Sequence, residues 1–173
     1  MLLASRELSR IVDQPGTEAD RLELGLGAFK GVDGAGKGET VNTLNFWMDP
    51  RQIETNAMGE ATQEARERPR MWRFWRALPP KGKIGIFFGS WYTAPIIDRV
   101  SGRTDDADLE TSIDEILRFE AMLASEGTLV LKYWLHLSKK QQKRRLNVLE
   151  KNPETRWRVT DTDWERFKLY DDF

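Results

Sequence analysis

The chain has no cysteine and only one histidine, His136. Those two absences exclude a disulfide framework, a thiolate metal site, a cysteine nucleophile and a histidine metal cluster. An excess of either charge is missing too: 27 Lys and Arg face 28 Asp and Glu, so no global field draws in a polyanion and basic function has to be local. There is no apolar run long enough to span a bilayer and no charged-then-apolar leader, which points to the cytoplasm. Repeats and low-complexity tracts are also absent. What remains, 173 residues of which 39% are hydrophobic and 32% charged, is the composition of one globular domain with a real core. Tryptophan alone is plentiful. Trp47, Trp72, Trp75, Trp91, Trp134, Trp157 and Trp164 are spread along the chain, which predicts core and groove packing rather than one stacking platform.

The most informative stretch is Gly31-Val32-Asp33-Gly34-Ala35-Gly36-Lys37-Gly38-Glu39-Thr40. Gly31, Gly36 and Lys37 match the first seven positions of the spacing G-x-x-x-x-G-K-[ST], in which small residues let backbone N–H groups close around phosphate oxygens. The eighth position is Gly38 where a Ser or Thr hydroxyl would hold Mg²⁺, so a metal needs another ligand, and Asp33 is the candidate. The plain alternative is a glycine-rich turn before a helix. A strand before the loop and a helix after it separate the two.

Around this loop the periodicity predicts an α/β fold. A strand over 22–29 precedes it, short or distorted because Gly25 and Gly27 remove packing. There follow a helix over 39–48, a weak strand over 52–57, a helical stretch over 59–78 interrupted by Pro69, and a strand over 83–88. An amphipathic helix over 108–125, an apolar strand over 128–137, a basic helix over 138–150 opened by Ser138, and a last helix from Thr160 complete the series. A short helix is also expected over 1–12. Glu120 falls on the apolar stripe of its helix, so it is either a rim residue or a buried acid with a partner. His136 reads as a packed strand-end residue without chemistry. Strands alternating with helices imply a mostly parallel sheet, with the phosphate loop at the carboxyl edge of its first strand.

Several blocks together resemble the polyphosphate kinase 2 family of P-loop phosphotransferases: Gly31 to Gly38, Asp49-Pro50-Arg51, Trp72-Arg73-Phe74-Trp75, Leu78-Pro79, Ser90-Trp91-Tyr92, Phe119-Glu120, Lys132 to Ser138, and the basic segment Gln142 to Trp157. They run in order over about residues 31 to 173, and they best match the N-terminal half of polyphosphate:AMP phosphotransferases with two such domains in tandem. The resemblance implies an α/β, P-loop kinase-like three-layer sandwich with a mostly parallel sheet and a helical lid. It implies a single domain over 1–173, whole or truncated, with the lid and C-terminal helices in 138–173. Gly31, Gly34, Ala35, Gly36, Lys37, Gly38 and Glu39 would line the phosphate, Asp33, Lys37 and Arg73 would be catalytic, and Asp33 would place Mg²⁺. Arg73, Arg76, Glu120, Lys132, Arg144 and Arg145 would form a channel for polyphosphate and nucleotide. Cations around a loose phosphoryl transition state fit that chemistry. The implied partners are inorganic polyphosphate, AMP and ADP, with a second such domain or a homo-oligomer, and neither membrane nor nucleic acid.

The chain departs from the family at one strand end. Active members read Asp-Arg-Ser-Trp-Tyr-Asn-Arg where this chain reads Phe88-Gly89-Ser90-Trp91-Tyr92-Thr93-Ala94. One metal ligand and two cations are missing, each such element being worth about 10²–10³ in rate. That implies a degenerate site, and restoring all three residues is expected to raise turnover. The competing reading is a non-catalytic polyphosphate or nucleotide module beside an active domain. Asp98 is a distant substitute for the absent carboxylate. A reading from another class takes Arg66 to Arg76, with Trp72, Phe74 and Trp75, as a single-stranded nucleic-acid surface. Against it, Trp72 and Trp75 sit three apart and fit one buried helix face with solvated arginines. The run Lys139 to Arg145 has its own plain reading as a solvated helix surface.

Overall fold

A computed structural model describes the backbone of residues 24–31 and 35–173, with side chains from residue 35 onward. The helix expected over 1–12 lies outside the described residues, as do Val32, Asp33 and Gly34. Four strands, β1 (Leu24–Gly31), β2 (Ile53–Ala57), β3 (Lys83–Phe88) and β4 (Thr128–Leu135), form one parallel sheet in the order β2-β3-β1-β4. The expectation of a short or distorted first strand is overturned. All eight residues of β1 pair with β4, from Leu24 opposite Thr128 to Gly31 opposite Leu135, and six of them also pair with β3. Hydrogen-bond ladders on both edges satisfy the backbone of this central strand, which offsets the packing that Gly25 and Gly27 do not supply.

Seven helices occur among the described residues, five in the crossovers between parallel strands and two after β4. They are α1 (Lys37–Trp47), α2 (Gln63–Arg66), α3 (Trp72–Trp75), α4 (Thr93–Val100), α5 (Asp106–Ser125), α6 (Lys139–Lys151) and α7 (Asp161–Lys168). Alternation along β3 divides the core in two. Phe87 joins Phe74 of α3, Trp91, and Ile116, Phe119 and Leu123 of α5. Ile86 joins Ile53 and Val41 of α1 in a second cluster. In β4, Val130 packs on the first cluster and Tyr133 on the second. A parallel sheet between two helical layers follows, as the sequence predicts. Helix ends follow their signals as well: Ser138 caps α6, while Asp105 with Asp108 and Thr160 with Asp163 form capping boxes on α5 and α7. No helix among the described residues is long and apolar enough to cross a membrane.

Local expectations fail at five places. Residues 59–78 form two single-turn helices rather than one interrupted helix, because Pro69 lacks an N–H and pushes Arg68 away from helical geometry. The Pro69 carbonyl instead accepts from Trp72 N at 2.8 Å. The sequence reading omitted α4, although Pro95 in its first turn is a helix-start signal. The tryptophans do not share one role: Trp91 is buried, whereas Trp47 and Trp157 are 72% and 76% exposed. Phe74, not the Trp72 and Trp75 pair, is the buried residue of α3. His136 is exposed, with its ring nitrogen 2.9 Å from the Tyr170 hydroxyl.

The core assignment predicts that Phe87→Ala lowers unfolding free energy by about 3–5 kcal/mol. Phe46→Ala, at a side chain 87% exposed, is expected to change it by no more than about 0.5 kcal/mol. Urea titrations of the two variants check both values.

Candidate phosphate-binding site

β1 delivers the chain to the head of α1. Gly36 is the helix N-cap and has φ +88°, a left-handed conformation that glycine enters without strain. Thr40 N–H then bonds to Gly36 O at 2.9 Å, which leaves the amides of Lys37, Gly38 and Glu39 ahead of the helical ladder. Such amides, with the positive end of the helix dipole behind them, hold anions. The loop therefore stands between a strand and a helix, as the phosphate-loop reading requires. Gly31 ends β1, Lys37 opens α1, and Ala35 and Gly36 form the described part of the turn. Gly38 offers no hydroxyl, and the nearby Thr40 hydroxyl donates to Gly36 O at 3.0 Å.

Two guanidinium groups lie against this turn. Arg145 of α6 donates to Glu39 Oε1 at 2.8 Å, and Arg158, from the 3-10 turn Arg156–Arg158, donates to the same oxygen at 3.2 Å. A Cβ added to Gly38 would lie 3.8 Å from the Arg158 guanidinium. Partial burial acts to raise the Glu39 pKa, but the Glu39 backbone N–H and the two arginine charges together hold it below the usual carboxylate value. Of the other basic residues of α6, Lys139 ion-pairs with Asp171, and Arg144 is exposed. Sequence reasoning missed Arg158 and the Glu39 carboxylate as partners. Residues 119 positions apart carry no spacing signal.

Glu120 is a partly buried acid, its side chain 12% exposed, with partners. Its Oε1 accepts from Trp91 Nε1 and from the Tyr92 hydroxyl, each at 3.0 Å, and its Oε2 accepts from Lys132 Nζ at 2.9 Å. Trp91 is fixed by edge contacts with Phe74 and Phe119 at 5.7 and 5.2 Å between ring centroids. Both oxygens are thereby engaged by neighbouring side chains, and Glu120 positions Lys132 and Tyr92. Its hydrogen bond raises the Lys132 pKa. Burial, and after it the Glu120 charge, raises that of Tyr92.

Arg73 and Arg76 line a cavity of about 370 Å³ beyond the carboxyl end of β2, together with Asn56, Glu60, Glu64 and Trp72. Arg73 donates to Gly59 O at 2.7 Å, and the Arg76 guanidinium stacks 4.9 Å from the Trp72 ring centre. The cavity thus combines two cations with two carboxylates.

At the end of β3, Phe88 packs against the cluster under α1. Gly89 has φ +86°, and a Cβ there would stand 2.6 Å from Met58 O. This corrects the expectation that an arginine can simply be restored at 89: the Met58 backbone, whose N–H bonds to Phe88 O at 2.8 Å, occupies the space. Ala94 is exposed and accepts a larger side chain. Asp98 ion-pairs with Arg103 at 2.6 Å and does not replace the missing carboxylate. Among the described residues no group of three His, Asp or Glu side chains is placed to hold a metal ion. Asp33, the expected magnesium ligand, lies outside the described residues.

The comparisons with known proteins agree with this geometry. A family model described as Polyphosphate kinase 2 matches residues 6–173. The polyphosphate:AMP phosphotransferase of Pseudomonas aeruginosa is 52% identical over 145 residues, which are 84% of this chain and 29% of that protein. One of the same name from Pseudomonas syringae pv. tomato is 49% identical, with the same two coverages. The chain thus spans about three tenths of the length of these relatives. Among solved structures, polyphosphate kinase 2 from Arthrobacter aurescens matches with a TM-score of 0.83 at 32% identity, over 87% of this chain and 53% of that one. A structure from Pseudomonas aeruginosa gives 0.84 at 33% identity, over 96% and 35%.

Two predictions follow the site's geometry. Gly89→Ala meets both a left-handed backbone and the Met58 carbonyl and should destabilise by more than about 2 kcal/mol. Gly82→Ala, also left-handed at φ +81° but in open space, should lose only about 1–2 kcal/mol of backbone strain. Tyr92 and Lys132 titrate higher in the fold than in the unfolded chain. The stability they contribute is complete below pH about 10 and lost as pH rises through their raised values. Urea midpoints between pH 8 and about 11 should fall at the alkaline end, and Glu120→Gln should flatten that fall.

Proposed function

The chain belongs to the polyphosphate kinase 2 family, and on that premise we propose that it binds inorganic polyphosphate and moves phosphate between it and AMP with low intrinsic turnover. One observation carries this reading: at the head of α1, where the amides of Lys37 to Glu39 precede the helical ladder, the Arg145 and Arg158 guanidinium groups converge on the Glu39 carboxylate of the same turn. Backbone N–H groups, Lys37 and guanidinium groups around phosphoryl oxygens are the positioning and charge stabilisation that a loose transition state requires. The cavity beside Arg73 and Arg76 is the proposed place of the acceptor nucleotide. Its two cations suit the phosphate, and Asn56, whose amide nitrogen donates to Ala77 O at 3.3 Å, keeps an acceptor and one further N–H for the nucleoside. Magnesium is the expected counter-ion of the phosphates, with Asp33 as its proposed protein ligand. The cytoplasm is the proposed location.

The strand end at Phe88 and Gly89 favours a second reading, a non-catalytic module that holds polyphosphate or nucleotide for an active partner domain. A carboxylate is absent from that position, and backbone fills the space beside it. Turnover separates the two readings, while binding is common to both.

The expected result is that purified chain binds polyphosphate, that affinity falls steeply as salt rises, and that ADP accumulates slowly when AMP is added. Calorimetric titration at two salt concentrations and a coupled ADP assay measure these quantities. Lys37→Ala should lose binding by at least about tenfold, with circular dichroism unchanged. Binding without ADP formation would support the module reading, and equal binding by Lys37→Ala would sink the phosphate-loop assignment.

A further inference from the structure

The two arginines nearest the phosphate loop already hold an anion, and that anion belongs to the chain. Arg145 and Arg158 share the single oxygen Oε1 of Glu39, at 2.8 and 3.2 Å. This is an incomplete match. One carboxylate leaves the cluster with a net positive charge, and the buried Arg145 Nε has no hydrogen-bond partner. A guanidinium group that donates through one nitrogen to a shared oxygen forgoes the parallel two-bond geometry that carboxylates and phosphates both permit. A phosphate has more acceptor oxygens and more charge than Glu39, so it satisfies the same two cations better. Glu39 stands in the first turn of α1, and the Arg158 guanidinium approaches Gly38 to van der Waals distance of a would-be Cβ. A phosphate held by the loop amides would therefore lie within reach of the cations that Glu39 engages.

We infer that Glu39 is a resident counter-anion which keeps Arg145 and Arg158 closed on the loop in the absence of substrate and is displaced from them by a condensed phosphate. The exchange rests on the polyphosphate-binding reading given above. Its consequence is a threshold: the chain takes up a polyanion only when that anion outcompetes the carboxylate for both guanidinium groups. The same contact ties α6 and the Arg156–Arg158 turn to α1, so displacement loosens the only ion pairs that an arginine of this segment makes with the loop among the described residues. No covalent step is involved. The Glu39 carboxylate becomes solvated, and the two cations transfer to phosphate oxygens.

Glu39→Gln tests this directly, because the substitution preserves shape at a side chain that is 47% exposed and removes the charge. With sodium polyphosphate as the probe, the variant should bind about three- to tenfold more tightly than the parent, the gain expected from releasing two solvent-accessible ion pairs. That gain should vanish when Arg145→Gln and Arg158→Gln are also present, since no cation is then left to release. Thermal unfolding by circular dichroism verifies that each variant folds, and Arg158→Gln with and without Glu39→Gln repeats the comparison should the triple variant unfold. A gain that persists undiminished without the arginines would mean simple charge repulsion and would overturn the inference. Unchanged or weaker binding by Glu39→Gln, with the parent binding normally, would overturn it as well and leave the family reading intact. A parent chain that binds no polyphosphate would instead overturn the reading on which both rest.

Discussion

One left-handed glycine governs the carboxyl edge of this sheet. Gly36, at φ +88°, turns the chain from the central strand into α1 within the few residues that a phosphate loop allows. A side chain there would strain the turn, and the amides of Lys37 to Glu39 would no longer stand ahead of the helical ladder. The position of β1 between β3 and β4 gives the turn a rigid base, since ladders on both of its edges fix where the loop begins. The helix dipole, Lys37 and the arginines above the loop matter only because this geometry brings them to one place.

A second glycine has an opposite effect. Gly89 also takes a left-handed conformation, yet its space is filled by the Met58 backbone, and neighbouring Phe88 is packed into the core under α1. The end of β3 is therefore organised by packing instead of charge. Just beyond it, Trp91 and Tyr92 anchor the partly buried Glu120, which in turn orients Lys132. Cations thus reach the carboxyl edge through a carboxylate network on one face of the sheet and through the Glu39 cluster near α1. Each cluster pairs its cations with an internal acid, in keeping with a chain whose formal net charge is −1.

Much of this was legible in the sequence where local pattern and tertiary structure agree. β3 and α5 each bury a face completely enough to impose clear periodicity, and the loop spacing located the head of α1. The acid on the apolar stripe of α5 announced its own need for partners, which the fold supplies in Trp91, Tyr92 and Lys132. β1 was misjudged because glycine content reports lost side-chain packing and says nothing of ladders on both edges. The segment 59–78 was misjudged because its single turns are set by Pro69 and by the burial of Phe74, not by helical propensity. The pairing of Glu39 with Arg158 had no signal to read: it depends on bringing together residues from opposite ends of the domain.

The central claim is that polyphosphate is held at the head of α1 by the loop amides and by Arg145 and Arg158 together. Titrating isotopically labelled chain with polyphosphate and following backbone amide and arginine Nε resonances tests it most directly. The account predicts that the Lys37, Gly38 and Glu39 amides and the Arg145 and Arg158 Nε signals move in concert with one binding curve. Shifts confined to the solvated face of Lys140, Lys143 and Arg144, with the loop amides unmoved, would contradict it.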